Sequence, residues 1–474
     1  MQAIAAAPPT PFYTPGHKHG RGIASALHHA WGAAIFAADM PELPGLDNLL
    51  APDGVIGAAQ DLAAAYFGAQ QTYFLANGST SGIEAAILAT VAPGDRLIVP
   101  RNAHRSVFSG LVLSGAEPVL IEPDYDPEWD LVHGLAPDRV AQALQTIPGI
   151  KAILTVSPTY HGVCGDIAAL VAMAHAHDLP LLVDAAHGAH FVAHPDLPTP
   201  ALALGVDLVV QSSHKTLGAL TQAAMLHVQG ERINRDRLQQ TLNLVQSTSP
   251  SYLLLASLDA ARHQLATQGR LQWQAVIELA RQLRRDIAAL PDLRVLTLAD
   301  LAPSPGAVAL DTTRITVDIS AWGISGYAAD AWLSDRGVIV ELPTLRHLTL
   351  ILSVGNTPVD GVTFCQALTE LRSQLRLEPT QPLTRIESPA PITRPACTPR
   401  AAFFATHDTV AIAAAMGRIS AELICPYPPG IPLLLPGELI TSTAIATLEH
   451  IQQQGGLITG ASDPSLQTLK VVRQ

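Results

Sequence analysis

The sequence predicts an α/β protein built on a mostly parallel β-sheet covered on both faces. Two observations carry this. Short, continuously apolar runs with β character recur along the first half of the chain: TYFLA (72–76), RLIVP (96–100), PVLI (118–121), KAILTV (151–156), PLLVD (180–184), VDLVVQ (206–211) and AAMLHV (223–228). Between most of them lie Ala- and Leu-rich helical segments such as SGIEAAILATV and DIAALVAMAHAH. Strands that stay apolar at every position must be buried on both sides, and alternation with helices is the pattern of βαβ units. In such sheets ligands gather beyond the carboxyl ends of the strands.

Composition narrows the class. A chain of 474 residues suggests two or three domains with a large core. A net charge of −12 speaks against a nucleic-acid partner, because phosphate binding needs clustered Lys and Arg. The four cysteines, Cys164, Cys365, Cys397 and Cys425, are scattered without a CxxC pair, so neither a disulfide framework nor a zinc site is indicated and a reducing, cytoplasmic setting is expected. The start, MQAIAAAPPTPFYTPGHKHG, lacks a charged segment followed by an unbroken apolar one, and no run of about 18 apolar residues occurs, so no membrane association is expected.

The pattern divides the chain into an N-terminal arm (1–50), a large domain (51–270) and a smaller α/β domain (271–377). The smaller domain begins in the helical stretch WQAVIELARQLRRDIAAL and continues through RITVDI, VIVEL and LTLILSV. Residues 378–400, EPTQPLTRIESPAPITRPACTPR, are proline-rich and read as an extended linker to a third α/β unit, 401–474.

The chemistry lies at the strand ends. After TYFLA comes NGSTSG, where Ser79, Thr80 and Ser81 precede a helix. Backbone N–H groups at a helix start, aided by hydroxyls, suit a phosphate, although Ser and Thr are also the preferred helix N-caps. Asp184 ends PLLVD, where a buried carboxylate is costly unless paired. Lys215 follows the next strand in SSHKTLGALTQ, so both side chains can emerge at one rim. An aspartate, a lysine and a phosphate cradle together match the needs of pyridoxal phosphate: covalent attachment, a partner for the pyridine nitrogen, and donors for the phosphate. Ser212 and His214 flank the lysine and could contact the phosphate, and His104, after RLIVP, could stack on the ring. For each of these the bland alternative is turn formation or satisfied polar packing.

The segments TPGHKHG, NGSTSGIEAAI, RNAHRSV, SPTYHGVCGDI, LLVDAAHGAHF, SSHKTLGALTQ, STSPSY and GRISAELICPYPPGIPLLLPGE, taken in order over nearly the whole chain, resemble the fold type I, pyridoxal-phosphate-dependent ornithine/lysine/arginine decarboxylases in their short form. The resemblance implies a seven-stranded, mostly parallel sheet and a lyase of polyamine biosynthesis. It implies Lys215 as the attachment lysine, Asp184 as partner of the pyridine nitrogen and His104 as the stacking residue. Ser79, Thr80, Ser212 and His214 would hold the phosphate, with His187 on the cofactor side. It further implies a homodimer or larger homo-oligomer with shared active sites, in which Ser247 of QSTSPSY would reach a neighbour's phosphate. One departure is visible: Asp184-Ala185-Ala186-His187 stands where the family often has Asp-Glu-Ala-His.

Decarboxylation requires the substrate's distal cation to be held firmly. Glu422, Tyr427 and Glu438, near the proline-rich turn, are candidates for that clamp, the alternative being a structural loop shaped by Pro428, Pro429 and Pro432 with the glutamates facing water. The expected substrate is a basic amino acid: arginine first, giving agmatine, then lysine, giving cadaverine, then ornithine. Two rival classes remain open. An aminotransferase on the same fold would need an arginine for the α-carboxylate, for which Arg346 is the candidate; a non-catalytic regulator or metal carrier would rely on His17, His19, His28 and His29, a group without the spacing of a closed site.

Overall fold

The structure, a computed structural model, describes residues 1, 5–6, 9–301, 304–375, 391–427 and 430–473. Seven strands of the large domain coincide with the seven apolar runs: β1 (Gln71–Leu75), β2 (Arg96–Pro100), β3 (Glu117–Ile121), β4 (Ile150–Val156), β5 (Leu181–Asp184), β6 (Leu208–Gln211) and β7 (Ala224–Val228). They lie in the order β1-β7-β6-β5-β4-β2-β3. The five from β6 to β3 are mutually parallel, and β7 runs antiparallel to both of its neighbours.

Side chains alternate between faces along each strand, so each run feeds two cores at once. Phe74, Ile98, Ile153, Val183, Val209 and Met225 enter one cluster. Leu75, Leu97, Leu154, Leu182, Val210 and Leu226 enter the other. Helix α1 (Gly78–Thr90) and helix α2 (Arg105–Ser114) both pack into this second cluster, through Ile83, Ile87, Val107, Phe108 and Leu111. The α1 contact is close, because a Cβ on Gly82 would sit 2.6 Å from Leu75 Cδ1 and 2.9 Å from Val210 Cγ1. Even the polar His227 inside β7 is accommodated: its ring nitrogens meet Thr72 Oγ1 at 2.8 Å and Gln211 Oε1 at 3.1 Å on the adjacent strands.

A single helix of 37 residues, α3 (Tyr252–Ala288), leads out of the large domain. It runs unbroken through residue 270, where the sequence pattern places a boundary; Gly269 does not break it there but is buried against Leu265 and Ala193. The second sheet is antiparallel, ordered β8-β9-β11-β10, from β8 (Arg294–Val295), β9 (Arg314–Asp318), β10 (Leu342–Pro343) and β11 (His347–Ile351). Helix α4 (Pro358–Gln374) packs its Phe364 and Leu368 with Trp273 of α3 and Ile315 and Val317 of β9, in the same cluster as one face of the large sheet. The two domains therefore share a continuous core.

Part of the expected linker, residues 378–390, lies outside the described residues. Just beyond it, β12 (Ile392–Thr393) pairs antiparallel with β3 and closes that edge of the large sheet. Such cover protects a sheet edge from unwanted pairing. The third unit joins His407–Ala411 to Thr468–Val472 and Cys425–Tyr427 to Leu457–Thr459 around its own core of Ile424, Leu434, Leu448 and Val471. It docks onto the large domain by placing Leu435 among the large domain's buried residues.

Candidate active site

The parallel register brings five chain segments to one rim. Asp184 is the last residue of β5 and only 5 % exposed. Its Oδ1 accepts the Ala186 N–H at 3.1 Å. Burial pushes its pKa upward, against the Lys215 ammonium and that N–H. Lys215 follows β6 in the short helix Ser213–Thr216, with Nζ 3.1 Å from His187 Nε2 and 5.7 Å from the centroid of the Tyr160 ring. Burial lowers the lysine pKa, Asp184 opposes this, and Arg314 adds to it. Burial thus pulls both groups toward their neutral forms, while the charge of each favours the ionised form of the other.

The expected phosphate cradle lies at the start of α1. Asn77 occupies the N-cap without a side-chain cap, and Gly78 has φ +76°, a conformation that glycine tolerates and other residues rarely adopt. The first N–H groups of α1 are therefore not capped by Asn77, as an anion site requires. Ser212 Oγ donates to Ser79 Oγ at 2.7 Å, which ties the turn before Lys215 to the cradle. Thr80 is exposed beside it, whereas Ser81 turns inward and donates to Gly78 O at 2.9 Å. His214 is half-buried, and burial together with Lys215 lowers its pKa.

His104 is the N-cap of α2, its Nδ1 accepting the Ser106 N–H at 3.2 Å. Burial, then Lys215 and Arg105, lower its pKa to about 4, so at neutral pH it is a flat, uncharged ring. The turn of the third unit closes over it: Arg105 N–H donates to Gly430 O at 3.2 Å, and a Cβ on Gly430 would lie 3.7 Å from His104 Cδ2. His104, Asp184, His187, Lys215, Ser79 and Tyr160 line one small cleft.

Residues 3–302 match the family described as Orn/Lys/Arg decarboxylase, major domain, and residues 381–459 match its C-terminal domain. The chain is 36% identical over 476 residues to the arginine decarboxylase of Bacillus subtilis (strain 168), covering 100% of this chain and 97% of that one. It is 37% identical over 472 residues to that of Halalkalibacterium halodurans, covering 98% and 95%. Lysine decarboxylase A from Pseudomonas aeruginosa has the same fold, with a TM-score of 0.84 at 22% identity over 100% of this chain and 79% of that one. This chain belongs to the Orn/Lys/Arg decarboxylase family. It is a pyridoxal-phosphate-dependent decarboxylase of fold type I, and that membership sets aside the aminotransferase and the non-catalytic regulator.

The residues fit the cofactor. Asp184 is a carboxylate in want of a cation, Lys215 is a primary amine beside it, and His104 is a neutral ring at the same cleft. The start of α1, not capped by Asn77, would meet a phosphate together with Ser79 and Ser212. Ser247 is exposed, its backbone N–H donating to Asn77 Oδ1 at 3.1 Å, so it stands beside the cradle of its own chain.

Two of the three clamp candidates have their carboxylates engaged within the chain. Glu422 is 7 % exposed, and its Oε1 accepts from Ser462 N at 2.7 Å and Ser462 Oγ at 2.6 Å while Oε2 accepts from Lys470 N at 2.8 Å. Glu438 Oε2 pairs with Arg101 Nη2 at 3.0 Å and accepts the Leu435 N–H at 3.1 Å. Both carboxylates are thus engaged in holding the third unit together or onto the large domain, because backbone donors at a tight turn need an acceptor wherever water is excluded. Tyr427 is half exposed and lies near Gly430, the residue that also approaches His104. Pro428 and Pro429 lie outside the described residues. Arg346 is bound to Asp318 Oδ2 at 2.7 Å in the second sheet. His17 pairs with Asp39 and His19 with Tyr13, while His28 and His29 are exposed, and among the described residues no three His, Cys, Asp or Glu side chains assemble as a metal site.

Sequence reasoning missed Tyr160 and Arg314. Tyr160 follows β4 as His104 follows β2, so the rim argument applied strand by strand finds it. Arg314, 1 % exposed, enters from β9 of the other sheet, and its Nη2 lies 2.8 Å from His187 Nδ1. No local signal announces a contact between domains.

Borohydride reduction of the cofactor-loaded decarboxylase should add the cofactor's mass to the peptide containing Lys215. The Lys215→Ala protein should show no such adduct, and an adduct elsewhere in the unaltered protein would displace the assignment. A second expectation concerns acid. Burial is the first cause holding His104 and His347 to about 4 and His161 and His227 to about 3. Unfolded histidines titrate near pH ~6.5. Between about pH 6.5 and 4 the unfolded chain therefore binds protons that the folded chain refuses, so stability is full above that window and falls within it, by up to about 1.4 kcal/mol per pH unit for each histidine. Denaturant unfolding at several pH values should show this slope, His227→Gln should make it less steep by one histidine's share, and a level profile would contradict it.

Proposed function

We propose that this decarboxylase converts arginine to agmatine and carbon dioxide, accepting lysine less well and ornithine least. The observation that carries the choice of arginine is the full-length identity of 36% and 37% to two relatives named arginine decarboxylase. Bound pyridoxal phosphate supplies the sink for the electron pair left on Cα when the carboxylate departs. This chain's residues make that sink effective. The Asp184 carboxylate, kept from water, holds a proton on the ring nitrogen by a charge-assisted bond. His104 keeps the ring plane fixed as an uncharged partner, which adds no cation beside Lys215. Ser79, Thr80, Ser212 and His214 anchor the phosphate end, so the reacting centre is oriented from a distance.

Discrimination among basic substrates depends on reach, since a site built for one length leaves a shorter chain's cation unpaired, at about 1–3 kcal/mol. Of the three clamp candidates, Tyr427 alone is half exposed beside Gly430, close to His104. The remaining contacts come from a second copy of the chain: the decarboxylase works in the cytoplasm as a homodimer or larger assembly, with Ser247 beside the phosphate region at the shared boundary.

Carbon-dioxide release by the loaded enzyme should show a kcat/KM for arginine at least about tenfold above that for ornithine. Lysine or ornithine preferred by more than that margin would overturn the ranking, and no turnover of any basic amino acid would overturn the substrate class. In sedimentation the same preparation should run as a dimer or larger, and a fully active monomer would sink the shared site.

A further inference from the structure

Lys215, His187 and Arg314 form a chain of contacts that cofactor attachment alone does not explain. Arg314 Nη2 lies 2.8 Å from His187 Nδ1, and His187 Nε2 lies 3.1 Å from Lys215 Nζ. His187 is 3 % exposed, so water does not stand in for either partner. A guanidinium has donors only, so Nδ1 must be the unprotonated nitrogen. A neutral imidazole then carries its proton on Nε2, facing the lysine. That N–H finds an acceptor in Lys215 only if the amine has a free lone pair. An ammonium would set donor against donor.

The guanidinium cannot easily turn away. Gly162, at φ +85°, packs its backbone so closely on Arg314 that a Cβ there would lie 2.8 Å from Arg314 Cβ and Cγ. On the other side Asp311 Oδ2 is 3.9 Å from Arg314 Nε, and Asp311 is itself held by His190 Nε2 at 3.0 Å and Thr313 Oγ1 at 2.6 Å. The groups whose charge reaches His187 are Lys215, Arg314, His104 and His190, and the Tyr160 ring lies 4.7 Å away, centroid to centroid. Those whose charge reaches Lys215 are Asp184 and Glu341, which favour the ammonium, and Arg314, which opposes it.

We propose that Arg314 is a positioning residue that fixes the tautomer of His187 and, through it, holds Lys215 as an uncharged, aimed amine. The uncharged form is the one that can bond to a carbonyl carbon. The proposal rests on Lys215 being the attachment lysine, which the borohydride experiment decides separately.

The test measures the protonation of Lys215 without turnover. The full-length protein freed of cofactor is labelled with a trace of acetic anhydride across about pH 5 to 11, a range that spans ordinary and depressed lysines, and acetylation of the Lys215 peptide is read by mass spectrometry. Arg314→Gln should raise the midpoint by about one pH unit or more. In the His187→Phe background the same substitution should raise it by less than half as much, the coupling that a double-mutant cycle isolates. Equal shifts in both backgrounds would mean that the guanidinium acts by charge alone, and would overturn the proposal; so would no shift in either. Should Arg314→Gln fail to fold, nitrogen-15 NMR of the histidine-labelled, otherwise unaltered protein decides. The His187 signal, assigned by its loss in His187→Phe, should show the Nε2–H tautomer, and an Nδ1–H tautomer or an imidazolium would refute it.

Discussion

A carboxylate at the end of a strand covered on both faces has almost no water, and the rest of the site is arranged around that constraint. Asp184 follows Leu181, Leu182 and Val183, each at most 1 % exposed. An isolated buried charge costs several kcal/mol, so Asp184 is stable as an anion only beside a cation. The ring nitrogen of the cofactor would meet that need, and the same burial that raises the acid also lowers the amine of Lys215 just beyond the end of the neighbouring strand. Sheet geometry makes this coupling unavoidable, because adjacent parallel strands end at the same rim.

The second domain completes this arrangement. Its sheet presents Arg314 to the far side of His187, while Trp273 of the long helix stacks on His190 at 4.3 Å and so packs against the Asp311 pair. Burial alone would raise Asp311, but His190 and Arg314 hold it below the ordinary carboxylate range. The site is therefore not a feature of one sheet. It lies where two sheets share a core, and changes in their packing act on the lysine through the imidazole.

The third unit contributes by shape more than by charge. Its acidic residues, which looked available for a cationic substrate, are taken up by backbone donors and by Arg101. What it brings beside His104 is the turn at Gly430, whose carbonyl accepts the Arg105 N–H, with the half-exposed Tyr427 next to it. Acid-residue count near a motif is a poor guide to a binding carboxylate, since a buried turn needs acceptors of its own.

The sequence by itself determined the seven strands, their mostly parallel arrangement and the rim residues Asp184, Lys215, His104 and Ser79, because apolar run length and strand-end position are local properties. It also carried the family, through motifs spread in order over the whole chain. Tertiary structure alone decided which polar side chains were free. Glu422 and Glu438 read as clamps until their partners Ser462, Lys470 and Arg101 appeared, and Arg314 read as an ordinary strand residue until β9 brought it against His187. These contacts join distant segments of the chain, and a side chain's partner across such a distance is set by packing between domains, which no periodicity or spacing encodes.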